Sequence, residues 1–395
     1  MEKRMSQTVA FPFPQLLERC EQLYNDLDFN YVRTWRERTG GKAFGFMPVY
    51  FPREIVHAAG MLPVGLMGGG DLIEIIKGDA YFQSYICHIP RSTVELGLSG
   101  RLDCLDGMAF PAICDVIRNL SGMWKLMFKD KESIYFDVPQ NFDMHIGGAF
   151  YQHELERVAE LLGGRSGIEV THERLKRAIA LYNDNRQLVY RLYRHRSEKP
   201  WEIPTGELYL LMRAGLILDV EEHNQMMGDY LEQVSQQQRQ PMDNSRVVLT
   251  GSFCEQPPIG LIRALERSGC YIVDDDFVLA ARWIKHDIPT DGNPFANLAA
   301  AFLGDSMDAP FKYQPVAKGE QLKRSFQENQ AEGVLFCAPS FCDPALLDRP
   351  MIQKFLDTNK IPYTSFKYAE NTGQYQVIRE QAGTFSDSLK LWGEV

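Results

Sequence analysis

Two places in this chain put a thiol directly in front of a carboxylate at the end of an apolar, β-forming run. Cys114-Asp115 follows GMAFPAI, and Cys342-Asp343 follows GVLFCAPSF, with Pro344 next. In open α/β sheets, working groups collect beyond the carboxyl ends of the strands, where loops vary while the sheet stays rigid. A helix starting just after such a strand points backbone N–H groups at the thiol and favours its thiolate by about 0.3 to 1 kcal/mol. Asp115 and Asp343 are expected as the N-caps of those helices. Disulfide, redox pair, metal ligand and plain packing are the chemistries open to such thiols.

Cys87, in YICHIPRS, also stands in a loop before a helix, one strand unit ahead of Cys114, and Cys254 in GSFCEQPP has a similar strand-end position. The other four of the eight cysteines read as packing residues: Cys20 in a helix, Cys104 and Cys270 at strand entrances, Cys337 inside a strand. The absence of CxxC pairs excludes the usual zinc-ribbon and thioredoxin signatures. From placement alone, an iron–sulfur cluster on Cys87, Cys114 and Cys342 competes with plain burial, because short ferredoxin-type spacers are missing. A nucleophilic Cys87 beside His88 is disfavoured, since adjacent residues rarely face each other.

Glu54 and His57, three apart on one helical face, are candidates for an acid and a base, with an amphipathic helix start as the plainer explanation. Arg91 and Arg118 could orient a ligand or hold coenzyme phosphates, and ordinary helix arginines explain them equally. Asp274, Asp275 and Asp276 suggest oxygen ligation of a hard metal, against the commoner reading of strand-end carboxylates. Trp124, Trp283 and Tyr375 are aromatic platforms or, by default, core. The run GGGDLIEIIKGD is no P-loop, and GxxxxGK[ST] occurs nowhere, so any ATP hydrolysis belongs to another chain.

The elements that must position these residues follow from periodicity. A helical lead-in over 1–43 is expected to pack on the first core. Strands and helices alternate over 44–150, long polar helices fill 151–244, and the strand, loop, helix pattern restarts over 245–395. The fold expected is α/β: two parallel-sheet, flavodoxin- or Rossmann-like domains joined by a helical connector. A net charge of -10 disfavours nucleic acid. A mean hydropathy of -0.28 without a long apolar run argues against a membrane. The start MEKRMSQTVAFPFPQLLERC lacks a secretory h-region, which points to a reducing cytoplasm and away from disulfides.

The runs MPVYFPREIVHAAGMLPVGLMGGG, YICHIPRSTVELGLSGRLDCLDGMAFPAICDVIRNLSGMWK, GSFCEQPP, SGCYIVDDD, APSFCDPALL and IPYTSFKYAENTGQYQVIREQAGTF carry a resemblance. They resemble the 2-hydroxyacyl-CoA dehydratase D-component family, and within it the gamma-type catalytic subunits of ATP-dependent benzoyl-CoA reductases. That resemblance implies a [4Fe-4S] cluster held by Cys87, Cys114 and Cys342. Cys254, Asp115, Asp343 and Arg91 are then neighbours of the cluster or spare ligands. It implies an oxidoreductase of anaerobic aromatic catabolism that reduces the ring of benzoyl-CoA, or a related aryl-CoA, to a cyclic dienoyl-CoA by stepwise electron and proton transfer. The partners implied are a homologous catalytic subunit, ATPase subunits carrying their own cluster, and a ferredoxin-type donor. Dehydration of a 2-hydroxyacyl-CoA through a ketyl radical, or electron relay without catalysis, are the alternatives.

Overall fold

The computed structural model describes residues 12–47, 51–251, 257–277, 282–305, 315–369 and 375–392. Among the described residues, eight strands form two four-stranded parallel sheets. The first holds β1 (Lys42–Phe46), β2 (Met61–Gly65), β3 (Gly107–Pro111) and β4 (Glu132–Phe136) in the order β2-β1-β3-β4. The second holds β5 (Ser245–Thr250), β6 (Cys270–Asp275), β7 (Gly333–Pro339) and β8 (Tyr363–Tyr368) in the order β6-β5-β7-β8. Each sheet thus has the flavodoxin-type sequence 2-1-3-4, with the switch in strand direction of travel between its first and third strands. Every residue of β2, β3 and β7 is buried, as covering a parallel sheet on both faces requires.

The helices are α1 (Phe13–Asn25), α2 (Asn30–Thr39), α3 (Arg53–Ala58), α4 (His88–Leu98), α5 (Asp115–Met127), α6 (Ala149–Ser166), α7 (His172–Glu198), α8 (Thr205–Ala214), α9 (Val220–Val234), α10 (Ile259–Glu266), α11 (Pro294–Asp305), α12 (Pro315–Glu328), α13 (Asp343–Thr358) and α14 (Tyr375–Trp392). The lead-in divides: α2 packs on β1, with Val32 and Trp35 buried and Arg36 paired with Asp106, as expected for the first core. α1 instead lies on α8 and α9, burying Leu16, Cys20 and Leu23, and Arg19 pairs with Glu222 at 2.8 Å. α11, placed in the chain between β6 and β7, packs on α6, where Phe302 meets Tyr151 with ring centroids 4.4 Å apart.

α7 ties the two sheets together. Its 27 residues span about 40 Å at 1.5 Å per residue. At Arg186 it meets α3 through a buried ion pair with Glu54, both Nη atoms donating to Oε1 at 3.0 and 2.8 Å. Ten residues on, fully buried Arg196 lies 2.8 Å from Asp275 at the end of β6. Arg282 completes that second junction, donating to Asp275 at 2.8 Å and to Asp274 at 3.1 Å while stacking on Tyr193.

Candidate functional site

The three singled-out thiols share one local geometry. Cys87, Cys114 and Cys342 are the N-cap residues of α4, α5 and α13. The sequence reading gave that capping place to aspartate. Instead Asp115 and Asp343 are the first helical residues, both exposed, one position inside the cap, where a carboxylate still complements the helix dipole. Between strand and thiol the chain turns, the Ile113 amide donating to the Pro111 carbonyl and the Cys342 amide to that of Pro339, and each helix begins immediately behind its cysteine.

Cys114 and Cys342 occupy equivalent places, each following the third strand of its sheet. They lie in each other's electrostatic field: burial pushes the Cys114 thiol up to about 11, the amides of Ile117 and Val116 pull it down, and Cys342 and Asp115 push it up. Cys342 is 5% exposed. Cys87 heads α4, which packs beside α5. None of the seven described cysteines is in a disulfide. Among the described residues, no group of three or more His, Cys, Asp or Glu side chains is gathered to hold a metal ion. Cys254 lies outside the described residues.

Cys337 sits fully buried within β7, opposite Phe366 of β8. Its replacement by alanine should cost about 1 kcal/mol of packing in a denaturant titration.

The other sequence candidates fall mostly into structural roles. Glu54 and His57 are turned toward α7: Glu54 is bound by Arg186, and the His57 ring meets Tyr182 edge-on at 6.1 Å. Burial holds the His57 imidazole below its usual range. Arg118 lies over the Tyr135 ring, Trp124 is buried between Phe110 and Phe128, and Trp283 packs on Phe302. The Asp274 to Asp276 run is taken up by Arg196, Arg282, Ser325, Thr250 and the Gly251 amide. These contacts line a cavity of about 740 Å³ over β5 to β7, whose Lys318 is paired with Asp348 and His286 with Asp305.

A residue the sequence reading missed is Glu95. It is buried on α4, two turns below Cys87, and its Oε2 accepts the backbone N–H groups of Ile76, Lys77 and Gly78 at 2.9, 2.6 and 2.8 Å. The readable signal was a carboxylate inside the apolar stretch VELGL. Arg91, four residues before it, donates to Asp79 at 2.8 Å.

Sequence comparison adds the following. A profile of the family described as 2-hydroxyglutaryl-CoA dehydratase, D-component, matches residues 48–389. The chain is 56% identical over 380 residues to a subunit of benzoyl-CoA reductase from Thauera aromatica, covering 95% of this chain and 98% of that one. It is 30% identical over 360 residues to the (R)-phenyllactyl-CoA dehydratase beta subunit of Clostridium sporogenes, covering 91% and 95%. Against the beta subunit of (R)-2-hydroxyglutaryl-CoA dehydratase from Acidaminococcus fermentans the figures are 28% over 356 residues, 89% and 93%. With a profile match over most of its length and end-to-end similarity to these subunits, the chain belongs to the 2-hydroxyglutaryl-CoA dehydratase D-component family.

Proposed function

We propose that this chain is an iron–sulfur catalytic subunit of an ATP-dependent benzoyl-CoA reductase. The observation that carries this reading is the 56% identity, end to end, with a protein named as a subunit of benzoyl-CoA reductase. The resident group is a [4Fe-4S] cluster held by Cys87, Cys114 and Cys342. Three thiols, each capping a helix beside a sheet edge, fit it: thiolate donors suit iron–sulfur chemistry, and a four-iron cluster spreads its sulfur ligands more widely than one ion does. When bound, the cluster supplies a strongly reducing electron.

The chain's own residues do the rest. The first-turn amides of α4, α5 and α13 stabilise negative charge on the thiolates. The buried setting of Cys342 keeps water, and with it proton reduction, away. No GxxxxGK[ST] motif is present, so the energy of ATP enters through partner ATPase subunits with their own cluster, fed by a ferredoxin-type donor, beside a homologous catalytic subunit. Among the described residues no helix is long and apolar enough to cross a membrane, and the reduced thiols suit the cytoplasm.

A second reading is kept because two relatives are named as dehydratase subunits. The test is an electron count. The anaerobic complex, given ATP and a low-potential donor, should consume two electrons per benzoyl-CoA and form a cyclic dienoyl-CoA. Water loss from a 2-hydroxyacyl-CoA without net electron consumption would assign the dehydratase activity instead.

A further inference from the structure

We infer that Glu95 is a positioning residue for the thiol site: through three backbone amides it pins the segment 69–79 to α4 and so sets the path of the chain into Cys87. The inference rests on the reading of Cys87 as a cluster ligand. Three successive N–H groups converging on one point form a concave nest that takes an anion. Here the anion is internal, a buried carboxylate oxygen accepting from Ile76, Lys77 and Gly78. Among the described residues no cation shares its charge.

Neighbouring positions on the same helix extend the clamp. Ser92 Oγ accepts the Gly69 amide at 3.1 Å, and Arg91 Nη2 reaches Asp79 at 2.6 Å. Gly78 lies so close to α4 that a Cβ there would come within 2.3 Å of the Arg91 carbonyl oxygen. Arg91, Ser92 and Glu95 thus stand four, five and eight residues after Cys87, and they hold the chain that reaches Cys87 eight residues after Asp79.

Apolar packing does little of this work. Ile73 and Phe82 reach the core, but Ile76 is 68% exposed, Tyr85 66% and Tyr81 46%. A segment whose large side chains face outward holds its course through its backbone, and Glu95 takes three of those amides. A loosened segment would let the Cys87 end of the site wander, and groups that orient metal ligands typically change metal affinity about 10- to 100-fold when removed.

The experiment uses the anaerobically purified complex carrying Glu95→Ala, Glu95→Gln or Cys87→Ser. It reads hydrogen exchange across 69–86 and the rate of iron release to a ferrous chelator. Glu95→Ala should speed both about tenfold while β3 and α5 exchange as in wild type. Glu95→Gln should restore most of the loss, because its amide oxygen accepts the same N–H groups. Unchanged exchange at Ile76 to Gly78 in both Glu95 variants overturns the inference. Faster exchange with unchanged iron release also overturns it, leaving Glu95 as a loop clamp alone. Full iron in Cys87→Ser is a different failure: the ligand reading is then wrong, and the positioning role falls with it.

Discussion

Serine in place of Cys114 or Cys342 should empty the chain of iron and sulfide while leaving it folded. The contrast is built into the cap geometry. Both residues are helix N-caps, and serine is among the residues most favoured there, its oxygen able to accept a first-turn amide. The starts of α5 and α13 are therefore kept, or strengthened, by the substitution. What changes is the donor: a hydroxyl of ordinary acidity replaces a thiolate that iron–sulfur chemistry requires. Iron and sulfide analysis with anaerobic electron paramagnetic resonance should show the cluster signal lost or converted in each variant. Cys87→Ser should follow the same pattern. Thermal unfolding of the metal-free chains should coincide with that of metal-free wild type. Wild-type iron content in all three serine variants would remove the cluster from these residues.

The strand ends were legible because parallel strands buried on both faces read as short continuous apolar runs, and GMAFPAI and GVLFCAP are two of these. Their shared Cys-Asp placement at a strand end was legible; what could not be read was that both strands hold the same position in their sheets. Cys114 and Cys342 correspond through strand order, each after the third strand of a 2-1-3-4 sheet, and strand order leaves no residue-level repeat. The cap was assigned one residue late because oxygen side chains dominate N-cap statistics, whereas the extended backbone here runs through the cysteine itself. The region between β6 and β7 holds α11 and α12. α11, PFANLAAAFLGD, is apolar around much of its circumference because it is covered by α6 and α7, so it lacks the polar face that marks a surface helix. The amphipathic stripe of α1 was visible, but a stripe announces that a face is buried, not against what. Glu95 shows the same limit for polar groups: its apolar neighbours signalled burial, while its partners are backbone amides, which no side-chain pattern encodes.

The Arg186 and Glu54 pair offers a test of what holds α7 to the first sheet, and of whether Glu54 is structural. Arg186→Met removes the cation and leaves a buried carboxylate, which should cost about 3 to 5 kcal/mol of stability. Arg53, the adjacent cation, is directed to the Gly215 carbonyl and lies over the Tyr182 ring, so it does not take over. The double variant Glu54→Leu with Arg186→Met replaces the pair by apolar side chains and should come back to within about 1 kcal/mol of wild type, since much of the cost of a broken buried pair is the stranded charge. Denaturant titrations measure wild type and both variants. A double variant no more stable than the single one would show that α7 is held by its apolar contacts and that Glu54 sits on it for some other reason.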